Sequence, residues 1–102
     1  MSNILSIALH ATDSTSLQRA RLQVQHTQQA APPTQLRIVA SADAVAAALD
    51  SADALTDPLT YLCPGALGQL QRPCPAHLQI LHEPAALALA RLQQHGWACL
   101  HA

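Results

Sequence analysis

The chain has 102 residues and a net charge of −1; half of it is apolar, yet it holds only one Trp, one Tyr and no Phe. A chain of this length predicts one domain over residues 1–102, with a core of Leu, Ala, Ile and Val that brings helices close to a sheet. The absence of lysine excludes Schiff-base amines, phosphate-loop lysines and lysine general bases, and five scattered arginines (Arg19, Arg21, Arg37, Arg72, Arg91) form no stripe for nucleic acid.

Residues 3–10, from Asn3 to His10, are nearly continuous in apolar side chains (Ile4, Leu5, Ile7, Ala8, Leu9), the pattern of a parallel strand covered on both faces. Asp13, Ser14, Thr15 and Ser16 offer helix caps. Leu17, Ala20 and Val24, with Leu22, then supply an apolar stripe that predicts a helix over 14–29, stopped by Pro32-Pro33. A second strand is expected over 34–40, followed by Ser41-Ala42-Asp43 as caps for a helix over 44–49 with Val45, Ala48 and Leu49 on one face.

A loop carrying Asp50, Asp53 and Asp57 leads to a third strand, Leu59-Thr60-Tyr61-Leu62-Cys63, and Pro64 opens a short helix towards Leu70. Two prolines around Cys74 make residues 71–76 a connector. A fourth strand is expected over 78–81. A helix over 85–95, with Leu87, Leu89 and Leu92 inside, ends at Gly96, and a last strand covers 97–100. Five strands alternating with four helices predict an α/β fold with a mostly parallel five-stranded sheet and helices on both faces.

Reactive groups in such sheets collect at the carboxyl ends of the strands, where His10, Ser41, Cys63, His82 and His101 all fall. Cys63 is the principal candidate for a catalytic role, because a thiol beside a helix N-terminus is pushed towards thiolate. A small, buried apolar cysteine is the alternative. Cys74, with no charged neighbour to activate it, reads first as an incidental thiol of an exposed loop, although it could resolve a disulfide with Cys63 or relay a sulfur, and Cys99 reads as a core cysteine. Cys74 and His77 with Cys63 lack zinc-ligand spacing, so neither a metal nor a cofactor is expected. His26 and His95 fall on helix surfaces, whereas His10 and His82 are candidate proton donors or cationic neighbours for a thiolate. After Cys63 no arginine arrives before Arg72, which excludes a phosphatase-type or rhodanese-type anion loop.

Charged residues make up 11% of the chain, against about 25% in an ordinary domain, and a surface so poor in charge points to a homo-oligomer. The start of the chain has no basic leader, and no apolar stretch reaches the eighteen or so residues of a membrane span. Three cysteines without Cys-x-x-Cys spacing suit a reducing compartment. The expectation is therefore a cytoplasmic protein with no membrane and no nucleic-acid partner.

Tyr61-Leu62-Cys63 at a strand end and the closing Arg91-Leu92-Gln93-Gln94-His95-Gly96-Trp97, together with the order of strands and helices, resemble the DsrE-like (DsrE/DsrF-like) family. The Leu-Gln-x-x-Gly-aromatic ending is the most specific part. The resemblance implies a three-layer α/β/α sandwich, a trimer or hexamer, and a sulfur-relay role in which Cys63 carries a persulfide between a sulfur donor and an acceptor protein. Family members often follow the cysteine with a polar turn. Here Pro64-Gly65-Ala66 stands in its place, and Pro64 brings no amide hydrogen. The alternative function is a non-enzymatic oligomeric module that binds a ligand or protein, with Cys63 structural.

Overall fold

Punctuation by proline, glycine and capping residues divides the chain into alternating strands and helices, and a computed structural model describes residues 4–102. Strand β1 is Ser6–Ala11; the Asn3 start of the expected strand lies outside the described residues, and Ile4 and Leu5 precede the ladder with exposed side chains. Helix α1 is Ser14–Ala30, begun by a reciprocal cap in which Asp13 Oδ1 accepts from the Ser16 amide (2.7 Å) and Ser16 Oγ accepts from the Asp13 amide (3.0 Å). Strand β2 (Gln35–Ala40), helix α2 (Asp43–Asp50), a 3₁₀ turn (Asp57–Leu59) and strand β3 (Thr60–Leu62) follow. Helix α3 (Pro64–Leu70), a two-residue strand β4 (Gln79–Ile80), helix α4 (Ala85–Gln94) and strand β5 (Ala98–His101) complete the order.

All five strands are parallel, in the order β4-β3-β2-β1-β5. The first three crossovers step outward from β1 to β4, and α4 then carries the chain back to the free side of β1. Right-handed crossovers that travel in opposite directions place their helices on opposite faces. The core divides accordingly. Leu9 and Ala11 of β1, Leu36, Ile38 and Ala40 of β2, and Leu62 of β3 pack against α1, α2 and α3, whereas Val39 meets Ala85 and Ala88 of α4, with Tyr61, Leu89 and Leu92 at the margin. This is a three-layer α/β/α arrangement with an all-parallel sheet. Ala8, Ala11, Ala20, Ala40, Ala44 and Ala48 are fully buried, so small side chains do the packing that aromatic residues do elsewhere.

Two helix faces differ from expectation. Leu87 is 50% and Leu22 is 53% exposed. The inward-facing positions run 85, 88, 89, 92 on α4, the last two half-buried, and 17, 20, 21, 24 on α1, the true three-and-four spacing, which Leu87 and Leu22 interrupt. The place expected of Leu22 is taken by Arg21. Ser41 does not cap α2 either: the N-cap is Ala42, at φ 51°, with no side-chain bond, because the Ser41 hydroxyl is engaged by His10.

Gly96 ends α4 at φ 90°. The Trp97 amide donates to Leu92 O (3.0 Å) and the Gly96 amide to Gln93 O (3.1 Å), a Schellman stop that turns the chain into β5. A Cβ there would meet open space, so the cost of Gly96→Ala is conformational. That variant is expected to lose about 1 kcal/mol of stability in urea unfolding.

Candidate functional site

Cys63 occupies the hinge between β3 and α3. Its amide donates to Ala40 O (2.9 Å), extending the β2–β3 ladder by one residue, and its carbonyl accepts the Leu67 amide (3.1 Å), the first bond of α3. The residue thus follows directly on a strand and is the N-cap of a helix, with φ −67° and ψ 123°. Pro64 sits at the first helical position, where its missing amide hydrogen costs α3 no bond and its fixed φ suits a helix start. The Leu81 amide donates to Leu62 O (3.0 Å), holding the end of β4 beside this hinge, and Pro84 then starts α4.

Two helix starts therefore converge on one half-buried sulfur. Burial pushes the Cys63 thiol up, but the amides of Ala66, Ala85 and Gly65 pull it further down, and the net position is below the ordinary thiol value. In its neutral form the thiol makes no cap hydrogen bond, so these amides act chiefly on the thiolate. Pro64 costs the site nothing, since the donors come from the second and third residues of α3 and the first of α4. Ala85 is a contributor the sequence conceals: its amide reaches Cys63 only because β4 lies next to β3 in the sheet.

The other two thiols differ. Cys74 is half-buried with its sulfur 3.6 Å from both Pro75 O and Leu78 O, and burial pushes it up. Cys99, expected in the core, lies half-buried on the edge strand β5 and donates to Leu89 O (3.4 Å); burial pushes it up too.

Of the five residues at strand ends, His10, Ser41 and His101 come together. His10 Nε2 lies 2.7 Å from Ser41 Oγ, and its ring meets that of His101 edge-on at 5.6 Å, as the pairing of His10 with His101 in adjacent strands requires. Burial, then the proximity of His101, holds His10 below the ordinary histidine value. His82 is exposed after β4. The shift of Cys63 comes from burial and backbone amides, with no histidine among its causes. Among the described residues no three His, Cys, Asp or Glu side chains are placed to hold a metal ion; His77 faces Asp57 instead (Nε2 to Oδ2, 3.7 Å).

No protein-family model matches the chain, and no curated protein matches it. Among the described residues no helix is long and apolar enough to cross a membrane.

Proposed function

We propose that this protein is a sulfur carrier of the DsrE-like kind, with Cys63 as the residue that is loaded. The observation that carries this reading is the convergence of the Gly65, Ala66 and Ala85 amides on a half-buried thiol held below the ordinary value. The same dipoles favour a persulfide anion, which bears its charge one atom further out. The resemblance of Tyr61-Leu62-Cys63 and of the Leu92 to Trp97 ending to sulfur-relay proteins supports it.

In loading, the Cys63 thiolate attacks the outer sulfur of a donor persulfide. A new S–S bond forms at Cys63, the donor's own S–S bond breaks, and the donor leaves as a thiolate that takes up a proton. Discharge is the same exchange in reverse: an acceptor thiolate takes the outer sulfur and Cys63 returns as thiolate. No external oxidant or reductant is consumed. The setting proposed is a reducing cytoplasm and a homo-oligomer, trimer or hexamer, for which exposed Leu22, Leu55, Leu87 and Leu100 supply apolar surface.

A second reading, a binding module with Cys63 structural, is favoured by the packing of Cys63 against both apolar clusters. Intact-protein mass spectrometry after exposure to a persulfide donor separates the two. A gain of one sulfur atom, removed by reductant and missing in Cys63→Ser, is the expected result. Equal loading of Cys63→Ser, or none of the wild type while a known carrier loads in parallel, refutes the carrier reading.

A further inference from the structure

The only Trp and the only Tyr of the chain close on the same arginine. The Arg37 guanidinium carbon lies 4.4 Å from the Tyr61 ring centroid and 5.0 Å from that of Trp97. All three side chains are half-buried on the α4 face of the sheet, towards the amino ends of the strands. There they line a groove of about 350 Å³ with Gln28, Gln35 and Leu59 among its walls, a volume at the small end of ligand sites.

Arg37 differs from the other arginines in what its donors do. Arg21, Arg72 and Arg91 face carboxylates, and Arg19 donates to Ala102 O. Among the described residues Arg37 has neither an acidic partner nor a side-chain hydrogen bond, and no residue lining its groove is acidic. Stacking uses the face of a guanidinium and leaves its in-plane N–H fork unspent. A half-buried, unneutralised fork beside aromatic rings is the arrangement that takes a carboxylate or phosphate by two parallel hydrogen bonds. Tyr61 and Trp97 limit the rotamers of Arg37 before any ligand arrives and give an apolar body something to lie against.

We infer that the Arg37–Tyr61–Trp97 groove is a binding site for a small organic anion, a carboxylate or phosphate monoester held by the Arg37 fork. The site is independent of the carrier role of Cys63. The opposing reading is that Arg37 only covers sheet that α4 leaves open, in which case its donors need no solute beyond water.

Trp97 is a reporter without competitors. Its emission is titrated in the full-length protein with benzoate and with phenyl phosphate at constant ionic strength, alongside the Arg37 Nε–H resonance of ¹⁵N-labelled protein. A saturable change in both signals with one midpoint, for either probe, is expected, and the tighter probe identifies the headgroup. Arg37→Gln should weaken binding about tenfold or more, as loss of charge-assisted hydrogen bonds requires, Arg37→Lys should fall between, and Cys63→Ser should bind like the wild type. Equal affinity in Arg37→Gln, or no saturable change in the wild-type Nε–H resonance with either probe, overturns the proposal; the second needs no variant to fold.

Discussion

Iodoacetamide added to the native protein near neutral pH is expected to place its first label on Cys63, with Cys74 and Cys99 lagging. Thiolate is the reacting form, and the fold moves the three thiols in opposite directions. Burial raises all of them, but only at Cys63 do backbone amides outweigh it. The labelling rate of Cys63 should level off at a lower pH than an ordinary thiol, while those of Cys74 and Cys99 keep rising above it. In denaturant the three should become alike. A sharper test acts on the Ala85 amide. Pro84 has φ −55° and ψ 149°, a conformation that accepts a following proline, and proline suits the first turn of a helix. Ala85→Pro should therefore keep α4, remove one amide facing the sulfur and raise the pH at which Cys63 labels. Cys63 labelling no faster than Cys99 in the native protein would sink the activated-thiol reading.

The same shifts fix signs for stability. A thiol lowered by folding contributes stability above its unfolded pKa, and that contribution is lost as the pH falls through the folded value. Cys74 and Cys99, raised by folding, contribute below their unfolded pKa and lose it as the pH climbs through their folded values. Alkaline pH therefore weakens the protein at two thiols and strengthens it at one.

The order and class of the elements were legible because the cues are local. Asp13 and Ser16 cap α1, Pro32-Pro33 follows its end, Pro64 opens α3 and Gly96 stops α4, each through backbone geometry that depends on no distant residue. The place of Cys63 at the start of α3 was legible for the same reason, as the residue before a helix-opening proline. What escaped was non-local. The Ala85 amide meets Cys63 through strand order, and Arg37 meets Trp97 through the return of α4 across the sheet. Leu87 and Leu22 lie off the helical phase of their own buried faces, so their apolar character alone does not place them inside. Cys74 and Cys99 were placed by element type, which says nothing of which carbonyls lie beside a sulfur. His10, a candidate neighbour of the thiolate by its place at a strand end, is engaged by Ser41 of the adjacent strand, a partner 31 residues away that sequence order conceals.

Arg21→Ala is expected to cost about 3–5 kcal/mol, the range for removing one partner of a buried ion pair. The side chains of Arg21 and Asp57 are 10% and 3% exposed, and Arg21 Nη2 lies 3.5 Å from Asp57 Oδ1 while donating to Ser51 O at 2.7 Å. One guanidinium thus ties α1 to the end of α2 and to the turn that launches β3, and so to the strand that positions Cys63. The pair is not well satisfied. Arg21 Nε and Asp57 Oδ1 have no hydrogen-bond partner, and neither does the neighbouring Thr56 Oγ1. Removing the arginine leaves the buried Asp57 carboxyl with only the Asp53 amide (3.0 Å to Oδ2) and the His77 ring (3.7 Å to Oδ2) beside it. Most of the loss should therefore come from that stranded carboxylate rather than from attraction forgone. Arg21→Met combined with Asp57→Asn keeps an acceptor for the Asp53 amide and removes both charges, so the double variant should be more stable than Arg21→Ala. Urea unfolding of both variants decides it. If Arg21→Ala costs no more than an exposed pair such as Arg72–Asp50, about 0–1 kcal/mol, then solvent reaches Asp57 and the inferred penalty of burial is wrong.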